Sequence, residues 1–282
     1  MKYLMHHLIS NTVKLQDHIQ QVTGDLLLKK AVYPTSVDAL EGASAVLFLL
    51  GFMPSHNGHG PEPSLILNKR SQHVRQPGDL CCPGGGISAK LDTAVAKTIA
   101  LPGFPMWRWP FWSKIKARSR QEADILRLLF STSIRESYEE MRLNPFGVRF
   151  LGPLPTESLV MFRRVIYPMV GWVTRQQDFR TNWEVEKIVA ISISALLNPD
   201  NYVRYLLEIT DPSATGDNHR VYDAPSFVHR NNMENEVLWG ATCRMTLGFL
   251  KLVFNFSPPE IESLPVLKDT INQNYLDNGK QE

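Results

Sequence analysis

Strand-length runs of apolar residues recur along the chain, separated by polar stretches that contain Pro, Gly and Asn. The run AVLFLLGF spans residues 45–52, and SLILNKRS begins at residue 64, after a segment whose Pro, Gly and Asn residues break regular structure. Two such runs joined by a turn-forming segment predict a β-hairpin with a loose loop. Further runs of this kind are GVRFLGPLP at 147–155, FRRVIYPMVGWV at 162–173 and EKIVAISISAL at 186–196.

Two stretches have the composition of helices. Residues 125–143, ILRLLFSTSIRESYEEMRL, contain mostly good helix formers and are followed by Pro145, which favours a helix end. Residues 237–254, VLWGATCRMTLGFLKLVF, predict an apolar closing helix. The order of strands, glycine segment, helix, strands and helix predicts an α/β (α+β) fold, an α/β/α sandwich around a mixed sheet. We expect a polar helical extension at 1–42, a main domain at 43–256 with a poorly patterned insert at 93–130, and a C-terminal tail at 257–282.

Composition and charge bear on the partners and the cellular location of the protein. The 282 residues are 43% hydrophobic, and 30 basic against 28 acidic residues give a net charge of +2, so nothing demands nucleic acid or an anionic membrane as a partner. The N-terminus becomes polar after a few residues, and the most apolar run, at 43–53, has about half the length that spans a bilayer. We therefore expect a cytoplasmic protein without stable membrane insertion. A homodimer is compatible with the sequence, which does not define the oligomeric state.

The candidate chemistry lies in the segment RESYEE, residues 135–140. On a helix, Glu139 and Glu140 lie three and four residues after Glu136, so that all three can share one face, and Arg135 can pair with Glu139. Three neighbouring carboxylates repel one another unless a cation lies between them, and an oxygen-only ligand set suits Mg²⁺ or Mn²⁺. The alternative is a solvated acidic face on a surface helix.

A triple glycine upstream favours the functional interpretation. Gly84, Gly85 and Gly86 follow a Pro/Gly-rich stretch, which predicts a loop whose backbone can approach a ligand closely. Backbone amides in such a loop can lie near phosphate oxygens. A glycine loop and a helix with three glutamates therefore point together to a phosphate-containing substrate.

The glycine loop and this helix resemble the Nudix box, G-x5-E-x7-R-E-U-x-E-E-x-G-U, in which U is aliphatic. The helical half matches at Arg135, Glu136, Glu139 and Glu140, with Ser137 at an aliphatic position and Arg142 in place of the final glycine. In the first half, Asp92 stands in place of glutamate after Gly86. Forty-two residues separate Asp92 from Arg135, where the motif has seven, so an insert would split the box.

The segment LILNKRSQHVRQPGDLCCPGG at residues 65–85 is similar to the signature of the coenzyme A pyrophosphatase branch, approximately LLTKRS-x-x-LR-x-H-x-G-Q-V-x-FPGG. Matching positions are Lys69, Arg70, Ser71, Arg75, Gly78, Pro83, Gly84 and Gly85, whereas Gln76 replaces histidine and Cys82 replaces phenylalanine. Later segments, FLGPLP, YPMVGWV, EVEKIVAISISALLNPDNY and LWGATCRM, also resemble that branch, so that the similarity covers roughly residues 45–250.

The resemblance implies an enzyme that hydrolyses the diphosphate of coenzyme A or acyl-coenzyme A to adenosine 3′,5′-bisphosphate and 4′-phosphopantetheine. The metal, Mg²⁺ or Mn²⁺, would be held by Glu136, Glu139 and Glu140. Catalytic roles would fall to Arg135, Glu139, Glu140 and Glu184, and substrate binding to Arg70, Ser71, Arg75, Gly84, Gly85 and Gly86. The small-molecule substrate would be an anion, and Arg guanidinium groups suit phosphate; the alternative for Arg70 and Arg75 is two solvated side chains.

Several alternatives stay open. Either Glu184 or Glu186 can supply the catalytic carboxylate, or both are surface acids. The insert holds four large aromatic residues between 107 and 112 and a basic stretch after them, which suits a packing patch, a substrate lid or a membrane contact. The protein as a whole could act on another nucleoside diphosphate compound, or be a catalytically silent Nudix-fold sensor that binds a nucleotide.

Overall fold

The computed structural model describes residues 8–29, 40, 42–54, 60–99, 101, 104–159, 164–176, 178–210, 220–230, 234–272 and 275. Its larger sheet has eight strands, in the order β3-β2-β1-β7-β5, with β8 paired to β2, β4 to β1 and β6 to β7. The strands are β1 (Ser44–Pro54), β2 (Pro61–Arg70), β3 (Leu80–Cys81), β4 (Gly84–Gly86), β5 (Val148–Pro153), β6 (Glu157–Ser158), β7 (Val165–Val173) and β8 (Val185–Ser192).

The central strand β1 explains why this sheet is mixed. It pairs antiparallel with β2 and parallel with β7. The predicted hairpin is confirmed, because β1 and β2 are adjacent antiparallel strands. The central residues of both strands, 45–51 in β1 and 63–68 in β2, are buried, which accounts for the apolar run in each.

Helices cover both faces of this sheet. Side chains alternate along β1, so that Leu47 and Leu49 face one hydrophobic cluster while Phe48 and Leu50 face the other. On the Leu47 side lie α2 (Ala89–Ile99), α3 (Trp112–Arg118) and α4 (Arg120–Met141). On the Phe48 side lies α6 (Gly240–Phe254). This layered arrangement confirms the predicted α/β fold around a mixed sheet.

A second sheet extends the Phe48 side, and the sequence analysis did not predict it. Its order is β11-β10-β9-β12, with β9 (Tyr202–Thr210), β10 (Arg220–Arg230), β11 (Asn235–Leu238) and β12 (Val266–Asn272). The short helix α5 (Ile193–Leu196) connects β8 to a 3₁₀ turn at Pro199–Asn201 that precedes β9. Other 3₁₀ turns are Pro145–Gly147 and Ile261–Ser263. Tyr202 and Phe227 of this sheet pack in the same cluster as Phe249 of α6.

The N-terminal helix, α1 (Thr12–Lys29), packs against the edge of the larger sheet. Leu15 and Ile19 are fully buried, and the Thr23 hydroxyl donates to the carbonyl of Leu151 in β5 at 2.6 Å. Residues 1–7, 30–39 and 41 of the predicted extension lie outside the described residues. The described helix thus contributes directly to the core.

The segment predicted as a poorly patterned insert is largely helical, since α2, α3 and the start of α4 occupy it. Trp109 is 2% exposed and stacks edge-on against Phe150 at 5.1 Å between ring centroids, whereas Trp107 is 53% exposed. Phe111 and Ile115 are also buried. These contacts favour packing as the role of the aromatic cluster. Among the described residues, no helix is long and apolar enough to cross a membrane.

Candidate active site

A cavity of about 210 Å³ lies between the end of β2, the glycine strand β4, the last turns of α4 and the start of β8. Six of the residues predicted from the sequence line it: Arg70, Gly84, Gly85, Glu136, Glu140 and Glu184. The helical spacing of Glu136 and Glu140 turns both side chains toward the sheet, because residues four apart lie on the same face.

Glu140 is the most constrained carboxylate of the cavity. Its Oε2 accepts hydrogen bonds from Asn68 Nδ2 at 2.8 Å and from the backbone N–H of Gly84 at 3.1 Å. The pKa of Glu140 is raised to about 8, mainly by burial; the Gly84 N–H opposes this shift, and the charges of Glu136 and Glu184 add to it. A half-buried carboxylate beside two others is a place where a cation would be favourable.

Glu136 lies against the glycine segment, and this contact explains the need for glycine. A Cβ on Gly85 would stand 2.7 Å from the carboxyl carbon of Glu136, and a Cβ on Gly84, whose φ is 147°, would stand 2.5 Å from the carbonyl oxygen of Ala45. The segment is a short strand paired with β1, so the predicted loop is wrong. The close approach that the glycines allow is to the carboxylates of α4. Burial also raises the pKa of Glu136, while Arg135 opposes the shift.

Arg135 joins the two separated halves of the motif. Its Nε donates to Asp92 Oδ1 at 2.6 Å, and its terminal nitrogens donate to Glu136 Oε1 at 2.8 Å and to Glu139 Oε1 at 3.1 Å. Asp92 is completely buried, and its other oxygen accepts the N–H of Ser88 at 2.6 Å. Although 42 residues separate Asp92 from Arg135, they form one ion pair that fixes the guanidinium beside the cavity.

Glu139 lies apart from the cavity lining. Its side chain is 51% exposed and is held by Arg135 on the outer side of α4. Helical spacing predicts that Glu136, Glu139 and Glu140 converge, but within the described part of the chain no three His, Cys, Asp or Glu side chains are close enough to hold one metal ion. The structure instead brings Glu136 and Glu140 to the same cavity as Glu184.

These residues fit an oxygen-seeking cation such as Mg²⁺. Among the described residues that line the cavity there are three carboxylates and no histidine. Cys81 also lines it, but burial raises the pKa of its thiol, so it does not offer the thiolate that would favour a softer metal. Mg²⁺ keeps several waters and is usually bound through one or two protein carboxylates together with substrate phosphates. An open site formed by Glu136 and Glu140 has that character, with Glu184 across the cavity.

Glu184 and Glu186 have different environments, although only one residue separates them. The backbone of Glu184 is fixed by Asn182 Oδ1 at 2.9 Å and by the N–H of Ser71, which donates to its carbonyl at 2.8 Å. Its side chain reaches the cavity. Glu186 instead forms an ion pair with Lys69 at 3.3 Å. Of the two candidates for the catalytic carboxylate, the geometry therefore favours Glu184 over Glu186.

The predicted substrate-binding residues are only partly brought together. Arg70 lines the cavity and donates through Nε to the carbonyl of Arg75 at 2.6 Å. Ser71 is buried, and its hydroxyl oxygen accepts the N–H of His73. Neither Ser71 nor Arg75 is part of the cavity lining, and Gly86 pairs with Ser44 in the sheet.

Asn68 is a lining residue that the sequence analysis missed. It is 1% exposed and follows three apolar residues in β2. A polar residue directly after the apolar run of a strand was the signal that could have identified it, because buried amides need hydrogen-bond partners.

No family model matches the chain. The sequence is 28% identical over 185 residues to a protein of Yersinia enterocolitica named Uncharacterized Nudix hydrolase NudL, a match covering 64% of this chain and 70% of that protein. Similar solved structures include the Nudix hydrolase RenU from M. Smegmatis, with 12% identity, a TM-score of 0.33 and coverage of 53% of this chain and 70% of that chain. The NUDIX domain of Shewanella oneidensis NrtR complexed with ADP ribose has 15% identity and a TM-score of 0.33, covering 61% and 85%. Scores of this size carry no argument about fold or function.

Proposed function

We propose that this chain is a metal-dependent Nudix hydrolase that cleaves a diphosphate linkage in a small anionic substrate. The observation that carries the proposal is the meeting of Glu136, Glu140 and Glu184 with Arg70 around one cavity. The sequence similarity to a protein named as a Nudix hydrolase supports membership of that family. A solvated acidic face, the alternative for the helix, does not account for carboxylates whose pKa values are raised by burial.

Each cavity residue has a distinct role in the proposed reaction. Arg70 would bind a phosphate oxygen, and Arg135 orients Glu136 through their 2.8 Å contact. Glu136 and Glu140 would hold Mg²⁺ or Mn²⁺, which neutralises phosphate charge and lowers the pKa of water when bound. Glu184 would accept a proton from the attacking water. The water oxygen forms a bond to one phosphorus, the bridging P–O bond breaks, and the bridging oxygen leaves on the other phosphate.

Coenzyme A or an acyl-coenzyme A is the substrate that we propose within this class. Support comes from the sequence signature that ends at Gly85, because Arg70, Gly84 and Gly85 of that signature all line the cavity. The products would be adenosine 3′,5′-bisphosphate and 4′-phosphopantetheine.

A substrate panel tests this proposal. Initial rates would be compared for coenzyme A, an acyl-coenzyme A, dephospho-coenzyme A, ADP-ribose and a dinucleoside polyphosphate, each with Mg²⁺, with Mn²⁺ and with EDTA. We expect metal-dependent turnover with the highest kcat/KM for coenzyme A compounds. Preference for another member of the panel would overturn the substrate assignment. Binding of a nucleotide without turnover of any compound would show the silent sensor instead.

A further inference from the structure

Asn68 occupies an unusual position for a polar side chain. It lies in the middle of the larger sheet, where β2 pairs on one side with Cys81 of β3 and on the other with Ile188 of β8. Its side chain is 1% exposed and borders the cavity. An amide at such a site is costly unless both its ends are bonded.

Only one end of this amide is bonded. Nδ2 donates to Glu140 Oε2 at 2.8 Å, while Oδ1 is buried and has no partner among the described residues. A buried acceptor left unpaired costs about 1–3 kcal/mol. A leucine has the same branched skeleton and would avoid that cost, so the contribution of Asn68 is its N–H on Glu140.

That N–H completes the bonding of one carboxylate oxygen. Glu140 Oε2 already accepts the backbone N–H of Gly84 at 3.1 Å, and the Asn68 bond gives it a second donor. No described residue donates to Oε1 of the same carboxylate. The two donors come from different strands, β2 and β4, so together they restrict both the position and the rotation of the carboxylate group.

We propose that Asn68 is a positioning residue that holds Glu140 in the orientation that binds a divalent cation. This inference rests on the proposed function, because it assigns Asn68 to the same site. With Oε2 engaged by the protein, Oε1 is the oxygen presented to the ion. Hydrogen bonds that orient a metal-binding side chain commonly change metal affinity or activity by about 10–100-fold.

The test uses Mn²⁺ alone as the probe. Free Mn²⁺ would be followed by electron paramagnetic resonance during titration of wild type, Asn68→Leu and Asn68→Asp, neither of which can donate to Glu140. The matched controls are Asn201→Leu and Asn201→Asp, because Asn201 also donates through Nδ2, to the carbonyl of Ala195 at 2.9 Å, away from the cavity. Circular dichroism and thermal unfolding establish that each variant is folded.

We expect both Asn68 variants to bind Mn²⁺ at least about 10-fold more weakly, and both Asn201 variants to bind it as wild type does. At saturating Mn²⁺, kcat should fall more than the KM for coenzyme A changes. Unchanged Mn²⁺ affinity in the folded Asn68 variants would overturn the positioning role while leaving the hydrolase proposal intact. Tighter binding by Asn68→Asp together with unchanged binding by Asn68→Leu would show that the N–H of Asn68 is not required, which also overturns it. Absence of both Mn²⁺ binding and hydrolysis in wild type would refute the two proposals together.

Discussion

Replacing Glu140 with glutamine should stabilise the metal-free protein and abolish most of its activity. The carboxylate is surrounded by Glu136 and Glu184 and lies in a partly dehydrated cavity, so its charge is unfavourable when no cation is present. Glutamine keeps the shape and can still accept the hydrogen bonds of Asn68 and Gly84 through its amide oxygen. The variant therefore removes the charge with little change in packing.

The magnitude follows from the pKa of Glu140, which burial raises from 4.5 to about 8. Because the folded state binds this proton more tightly than the unfolded state, the associated stability is complete below pH 4.5 and is lost as the pH rises through 8. At about 1.4 kcal/mol for each pH unit, the upper limit is about 5 kcal/mol. The side chain keeps some contact with solvent in the cavity, so we expect about 2 kcal/mol.

The assay is urea unfolding of wild type and Glu140→Gln in EDTA, at intervals from pH 5 to pH 9. The free energy of unfolding of the variant should exceed that of wild type at pH 9, and the difference should shrink towards pH 5. Titrating groups that do not interact with Glu140 behave alike in both proteins and cancel in the difference, whereas Glu136 and Glu184 are coupled to it and contribute to the same pH dependence. Adding Mn²⁺ at about 100 times its Kd should stabilise wild type by about 2.7 kcal/mol and the variant much less.

The prediction for Glu140→Gln also concerns its turnover. Loss of an electrostatic catalytic group commonly costs about 10²–10³ in kcat, so the variant should be more stable and at least about 100-fold slower. A variant that is less stable than wild type at pH 9, or a difference that does not depend on pH, would refute the reasoning about buried charge. Near-normal turnover would show that any metal is held elsewhere.

Three further substitutions test the cavity and the insert. Gly85→Ala should lower turnover more than about 10-fold, because its Cβ would meet a carboxylate of α4 at 2.7 Å, whereas Gly86→Ala has nothing within 4 Å and should keep normal turnover. Glu184→Gln should lower kcat about 10²-fold, whereas Glu186→Gln, which only loses an ion pair outside the cavity, should not; equal rates would remove Glu184 from the mechanism. Trp109→Ala should lower the free energy of unfolding by about 3–5 kcal/mol with normal kcat in the folded fraction, and a selective rise in KM for long-chain acyl-coenzyme A would favour the lid instead.

The larger sheet was predictable because its signals are local. The strands β1 and β2 are buried through their central residues, and these residues form apolar runs in the sequence. The second sheet depends on contacts between distant segments, since β12 pairs with β9 in parallel. In β10, Pro225 lies within the strand, although proline usually argues against one. The strand pairings of the second sheet therefore could not be predicted from the sequence alone.

The site was predictable in part. Helical spacing placed Glu136 and Glu140 on one face, and both line the cavity. The same spacing also included Glu139, but Arg135 holds that side chain on the exposed side of α4. Spacing along a helix determines which residues share a face. Which of these carboxylates lines the cavity also depends on the charged side chains that pair with each of them. This pairing is visible only in the folded structure.

The most direct measurement of the central claim is hydrolysis of coenzyme A in ¹⁸O-labelled water, with products identified by mass spectrometry. We predict equimolar adenosine 3′,5′-bisphosphate and 4′-phosphopantetheine, with one ¹⁸O atom in only one of the two, formed with Mg²⁺ or Mn²⁺ and at least about 100-fold more slowly by Glu140→Gln. Intact coenzyme A, products without ¹⁸O, or the same rate in EDTA would contradict metal-dependent hydrolysis of the diphosphate at this cavity.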